Sequence, residues 1–156
     1  MNRRTFLAAS ALAGLAGSFA LPLAAQADTL DEIKKRGKLL VAIDLGSPPF
    51  GLTDAQMQPT GSDVESARLL AADLGVPLEI VQVTSPNRVP FLLTGKADIV
   101  MASFSVNEER KKVIDFSDAY GVIEIAIAAP KGTAIKTIDD LKGLRIGTTR
   151  GSTNDK

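Results

Sequence analysis

The stretch Ala97–Tyr120, ADIVMASFSVNEERKKVIDFSDAY, decides the fold. Its apolar run Ile99–Ala102, bounded by Gly95 and a polar turn, reads as a short buried strand. Ser103 and Ser105 follow at the strand's end, on either side of Phe104. Asn107 is then placed to cap a short helix carrying Glu108, Glu109 and Arg110. A strand end with hydroxyls, free backbone groups and a guanidinium suits a small carboxylate. Arginine offers two parallel donors that match the two carboxylate oxygens, which the point charge of lysine does not. The other use of such an arginine is a solvated ion pair on the surface, common and weak.

Outward toward the N-terminus, strand and helix signals alternate. Thr84–Arg88 is a polar loop, and Pro90 suits the first turn of a helix running to Thr94. Leu78–Val83 alternates apolar and polar residues as a strand does. Asp63 is expected to cap a helix over Val64–Leu74, where Val64, Ala67, Ala71 and Leu74 share one face and Gly75 ends it. Thr53–Pro59 is a polar turn. Leu39–Ile43 is a strand that leads into the loop Asp44–Phe50. Asp28–Arg36 is a short helix with Asp28 or Thr29 as cap, acids early, bases late and Gly37 as stop. Such alternation with short connections is the pattern of an α/β fold, a parallel sheet covered by helices. Small ligands bind outside the carboxyl ends of its strands. Asp44, Ser85, Arg88, Ser103, Ser105 and Arg110 all fall at or just beyond predicted strand ends, and that convergence marks them as one candidate site.

Toward the C-terminus, Val122–Ala129 is predicted as a long strand crossing between two lobes. Thr137–Leu141 is a short helix stopped by Gly143, and Leu144–Thr148 another strand. Thr149, Arg150, Gly151, Ser152, Thr153 and Asn154 would open a helix with amides and hydroxyls turned to an anion.

Composition removes whole classes of function. The 156 residues include no Cys and no His, which excludes thiol nucleophiles, disulfides, Cys/His metal sites and histidine bases. No cofactor or metal is expected. The 18 basic and 18 acidic residues balance, and six Phe with one Tyr make a poor base-stacking platform, so no nucleic-acid partner is expected. No Walker motif, dinucleotide fingerprint or nucleophile elbow is present. Residues 1–27 read as an export address: Asn2-Arg3-Arg4-Thr5-Phe6-Leu7 resembles a twin-arginine signal, an Ala/Leu/Gly run follows, and Ala25-Gln26-Ala27 offers a cleavage pattern. Cleavage after Ala27 would release a periplasmic protein with sixteen bases against eighteen acids, a net charge near −2. The alternative, a membrane anchor, fits the weakly apolar Gly/Ala-rich run less well.

Several short motifs carry a resemblance. They are Ser47-Pro48-Pro49-Phe50-Gly51, Gly61-Ser62-Asp63, Asn87-Arg88-Val89-Pro90, Gly95-Lys96-Ala97-Asp98, Asn107-Glu108-Glu109-Arg110, Phe116-Ser117-Asp118-Ala119-Tyr120 and Asp140-Leu141-Lys142-Gly143. In this order they resemble the periplasmic solute-binding proteins of amino-acid ABC transporters (extracellular solute-binding protein family 3). The resemblance implies a type II periplasmic-binding-protein fold of two α/β lobes that close over the ligand. On that reading residues 28–121 form a nearly complete first lobe, 122–129 the crossover, and 130–156 the opening of a second lobe too short to bury a core of its own. It implies that Arg110 grips the ligand's α-carboxylate with Ser105 beside it. Ser103 would receive the α-ammonium on its carbonyl, and Thr149, Ser152 and Thr153 would complete the carboxylate site on closure. The implied partners of a monomeric protein are a free amino acid and an ABC transporter membrane permease.

For the ligand's side chain, Ser85 and Arg88 resemble the positions that hold a second carboxylate in the glutamate/aspartate branch. Asp44 departs from that branch, which has arginine there, and looks like binders of glutamine or of basic amino acids. Ser47 and Ser62 stand where many relatives place aromatic walls. Asp44 and Arg88 would together suit a side-chain amide, or would simply pair with each other. The ligands favoured are glutamate, aspartate or their amides. An exported cyclohexadienyl dehydratase on the same fold is the alternative, since a fold does not fix a function; Asp44 is the one carboxylate committed to the cleft. The acidic residue that usually holds the ammonium from the second lobe has no counterpart here. The sequence is therefore expected to be a fragment or a broken reading frame, with weaker binding than a complete relative.

Overall fold

The computed structural model describes residues 28–155, and the export address expected over residues 1–27 lies outside the described residues. The elements run α1 (Thr29–Arg36), β1 (Leu39–Ile43), β2 (Leu52–Thr53), β3 (Pro59–Thr60), α2 (Ser62–Leu74), β4 (Leu78–Gln82), α3 (Arg88–Leu93), β5 (Ile99–Val100) and α4 (Glu108–Lys111), with short 3-10 turns at Ser85–Asn87, Ile138–Leu141 and Thr153–Asp155. The main sheet is parallel with order β4-β1-β5, and β2 and β3 form a small antiparallel hairpin. In the main sheet β1 pairs with β4 from Leu39↔Leu78 to Ile43↔Gln82, and with β5 at Val41↔Ile99 and Ala42↔Val100.

Strand β1 is apolar throughout because both its faces are covered. Successive side chains of a strand point to opposite faces. Leu39, Val41 and Ile43 therefore pack together with Ile33 of α1 and with Val64, Ala67 and Ala71 of α2. Ala42 faces the other way, against Val83, Ala97, Ala102 and the partly buried Phe91. Full burial of side chains such as Leu39 and Val64 contributes about 2 kcal/mol each. The 3.6-residue spacing of Val64, Ala67 and Ala71 is thus the stripe that docks α2.

Helix ends follow the sequence in most places. Asp28 caps α1 by accepting the Leu30 N–H at 3.2 Å, and Gly37 closes it at φ +75°. Asn107 caps α4 by accepting the Arg110 N–H at 2.8 Å. Helix α2 is the exception, and the expectation for Asp63 is corrected here. The helix starts at Ser62 behind Gly61 and has no side-chain cap. The Ser62 and Asp63 amides donate instead to the carbonyls of Pro49 (3.3 Å) and Phe50 (2.8 Å), so the loop after β1 serves as the cap.

Strand β5 is shorter than Ile99–Ala102. The Met101 amide still donates to the Ala42 carbonyl at 3.0 Å, but the chain leaves the sheet at Ser103, whose φ is +47°. The crossover strand Val122–Ala129 and the strand Leu144–Thr148 do not form in the described residues. Val122 is 96% exposed, and a strand without a neighbour leaves its N–H and C=O groups to solvent. The helix expected at Thr137–Leu141 is a 3-10 turn, Ile138–Leu141, held by a reciprocal Thr137–Asp140 cap. Three amide and hydroxyl donors, first the backbone of Lys136 and Thr137, then the Thr137 hydroxyl, hold the Asp140 carboxyl below its ordinary range. The helix expected from Thr149 is only the 3-10 turn Thr153–Asp155.

Candidate functional site

The parallel order puts the carboxyl ends of β1, β4 and β5 on one edge, and three connections leave from it: residues 44–51, 83–87 and 101–107. Arg88 begins α3 and is 6% exposed. Its Nη2 donates to Asp44 Oδ2 at 3.0 Å, so the two side chains form a direct ion pair. Asp44 Oδ1 also accepts the Gly46 N–H at 3.1 Å.

Arg110, on α4, is 8% exposed. Its Nη1 donates to the Ser105 carbonyl at 2.6 Å and to Thr153 Oγ1 at 3.4 Å, and its Nη2 donates to the Gly151 carbonyl at 3.2 Å. Ser105 thus meets Arg110 through its backbone oxygen. Desolvation, then the charge of Arg88, lower the Arg110 pKa from its ordinary value, with Glu109 acting the other way. The guanidinium nonetheless stays charged at any physiological pH.

Phe104 holds these groups together, a role the sequence reading did not assign. Arg110 lies over its ring with the guanidinium carbon 4.4 Å from the centroid, and Arg88 lies 5.7 Å away. Phe116 packs against the same ring at 5.6 Å. The available signal was an aromatic residue between two serines at a strand end.

A cleft of about 260 Å³ is lined by Ser85, Phe104, Arg110 and Gly151 among others. A larger groove of about 690 Å³ runs beside β5 and includes Ser103, Ser105 and Tyr120. The larger groove is mostly apolar, whereas the smaller one contains the charged donor suited to a carboxylate, so chemistry favours the smaller. Of the residues expected in the second-lobe loop, Thr153 reaches Arg110, and Ser152 is partly buried with its hydroxyl unpartnered. Thr149 stays exposed, its carbonyl accepting the Ser152 N–H at 3.1 Å. Three buried side-chain polar atoms have no protein partner among the described residues: Arg88 Nε, Ser103 Oγ and Ser152 Oγ.

This architecture is that of the type II periplasmic binding proteins. The chain belongs to the bacterial extracellular solute-binding proteins, family 3, whose pattern matches residues 39–153. It is 34% identical over 143 residues to the glutamine-binding protein of Geobacillus stearothermophilus, covering 88% of this chain and 55% of that protein. It is 32% identical over 154 residues to the L-cystine-binding protein TcyJ of Escherichia coli (strain K12), covering 97% and 58%. The chain therefore spans about half the length of the curated relatives it matches. Among solved structures, it superposes on an ancestral amino acid-binding protein, a precursor of cyclohexadienyl dehydratase. The TM-score is 0.59, with 48% identity over 60% of this chain and 41% of that one. The arginine-bound form of domain 1 from TmArgBP gives a TM-score of 0.56 and 46% identity over 58% of this chain and 71% of that one. The named curated relatives are amino-acid-binding proteins rather than enzymes, and one of them is the ABC transporter glutamine-binding protein GlnH of Bacillus subtilis (strain 168).

Proposed function

We propose that the chain is the receptor part of an exported binding protein that captures a polar amino acid and presents it to an ABC transporter permease. The favoured ligands are glutamate, aspartate or their amides, glutamine foremost. One observation carries this reading: a buried arginine, Arg110, lies over the Phe104 ring beside the Ser103–Ser105 turn. Its two Nη atoms donate to the Ser105 and Gly151 carbonyls, positions where an α-carboxylate can take over as acceptor. The second arginine supports the amide. Asp44 neutralises Arg88 at Nη2, which leaves Nε as a buried donor and the carboxylate as a nearby acceptor. A side-chain amide has the complementary carbonyl and NH₂. A lone buried donor without a partner is destabilising, so a ligand oxygen at Nε would be favourable.

Residues 28–121 then act as the first lobe, 122–129 as the crossover and 130–156 as the start of the second, with Thr149, Ser152 and Thr153 closing over the carboxylate. The protein acts as a monomer, exported through the signal in residues 1–27 and cut after Ala27. Sequencing of the exported product is expected to begin at Asp28. Calorimetric titration with the twenty amino acids and with prephenate tests the binding reading. Saturable heat with L-glutamine, L-glutamate or their shorter homologues, without turnover, is the expected result. Phenylpyruvate formed from prephenate, or no heat with any amino acid, would overturn it.

A further inference from the structure

We infer that Asp63 is a positioning residue for the site: its carboxylate fixes the Ser103–Phe104–Ser105 turn and ties that turn to Tyr120, where the segment toward the second lobe begins. The inference deepens the reading proposed above and rests on it.

Four observations carry it. Asp63 is 2% exposed although it is charged and lies in the first turn of a helix. Its Oδ2 accepts the Ser103 N–H at 3.0 Å and its Oδ1 accepts the Tyr120 hydroxyl at 3.1 Å. Each oxygen thus serves a different segment, 40 and 57 residues away. Ser103 has φ +47°, in the left-handed region that a residue with a Cβ rarely adopts. Such a conformation persists only where its surroundings over-determine it, and the carboxylate is the group that takes the Ser103 N–H.

The turn held in this way controls the site. Phe104 carries both guanidinium groups, and the Ser105 carbonyl accepts from Arg110. A rotation at Ser103 would move the ring and the carbonyl together. Asp63 is itself anchored through its backbone, which donates to the Phe50 carbonyl at 2.8 Å. A Cβ at Gly61 would lie 2.4 Å from that same Phe50 oxygen, so α2 approaches the loop more closely than a side chain allows. On the other side, burial and then the charge and hydrogen bond of Asp63 push the Tyr120 phenol up to about 12, while Arg88 acts to lower it. Tyr120 therefore remains a donor to Asp63 across the physiological range.

The chain has one Tyr and no Trp, so its intrinsic fluorescence and phenol absorbance report Tyr120 alone. The test compares wild type, Asp63→Asn and Tyr120→Phe in the full chain, with L-glutamine and L-glutamate as probes. Wild-type Tyr120 is expected to titrate near 12, to move toward the ordinary tyrosine value in Asp63→Asn, and to change its emission when the amino acid binds. Affinity is expected to fall about tenfold or more in Asp63→Asn and about threefold in Tyr120→Phe. Unchanged affinity in a folded Asp63→Asn, or a wild-type phenol that titrates at the ordinary value, overturns the inference. Should Asp63→Asn fail to fold, Tyr120→Phe decides, and wild-type affinity there overturns the coupling. A wild type that binds none of the twenty amino acids sinks the receptor reading. In that event protection of the Ser103 amide from exchange, together with the Tyr120 titration, still decides whether Asp63 holds the turn.

Discussion

Arg88 and Arg110 share one aromatic ring, with their guanidinium carbons 5.7 and 4.4 Å from the centroid of Phe104. Desolvation, and after it the like charge of Arg88, lower the pKa of Arg110. The two guanidinium groups are held by different partners: a carboxylate for Arg88, and two carbonyls with a hydroxyl for Arg110. The ring is the common support.

Phe104→Leu keeps an apolar side chain at the turn and removes the π face. Each cation–π contact contributes about 1 kcal/mol where the cation is partly desolvated. The expected result is a roughly fivefold to tenfold loss of amino-acid affinity by calorimetry, with a small loss of stability. A variant with wild-type affinity would mean that Phe104 only fills space.

Asp44→Asn leaves Arg88 nearly buried without its counter-charge, and removing one partner of a buried pair costs about 3 kcal/mol. The variant should therefore unfold at lower urea. Its surviving binding should shift from L-glutamine toward L-glutamate, because Arg88 gains a free donor for a second carboxylate. The double variant Asp44→Leu/Arg88→Met should recover most of the stability and none of the side-chain preference. If Asp44→Asn keeps its preference for the amide, the pair does not read the ligand's side chain.

Gly61→Ala places a methyl 2.4 Å from the Phe50 carbonyl oxygen at a backbone φ of +114°. Neither fault can relax without undocking α2 from the loop after β1. We expect a loss of about 2 kcal/mol or more in chemical denaturation. Alanine at Gly95 (φ +67°), with open space around the added Cβ, should cost less and serves as the control.

Much of this was legible in the sequence wherever a residue's partner was its neighbour in the chain. The cap at Asn107, the glycine stop at Gly37 and the stripe Val64–Ala67–Ala71 depend on short-range spacing and form as the sequence indicates, while at the start of α1 the structure selects Asp28 over Thr29. The β1 strand was legible because an apolar run bounded by polar turns has few alternatives. Asp63 has the local context of a cap, while its real partners, Ser103 and Tyr120, lie far along the chain. The role of Phe104 is hidden in the sequence for the same reason: only folding brings Arg88 onto its ring. Val122–Ala129 has the composition of a strand, but a strand is made by its neighbour, and propensity alone does not supply one. The contact between Asp44 and Arg88 spans 44 residues of chain, so only folding reveals it.

Tyr120 supplies a pH signature with a definite sign. Its phenol is pushed up to about 12, first by desolvation and then by Asp63, so the folded state binds this proton more tightly than the unfolded chain does. The stabilisation is fully present below the unfolded tyrosine value, about 10. It is lost as pH rises from there through the folded value. The residue is 58% exposed, so solvent screens much of the effect and the slope should be shallow. Midpoints of urea unfolding measured from pH 8 to 12 should fall over the upper part of that range in wild type. Tyr120→Phe, which has no phenol proton to lose there, should lack the part of the fall that this group contributes. Superimposable profiles for the two would mean that the Tyr120 hydroxyl is not held by Asp63 in solution.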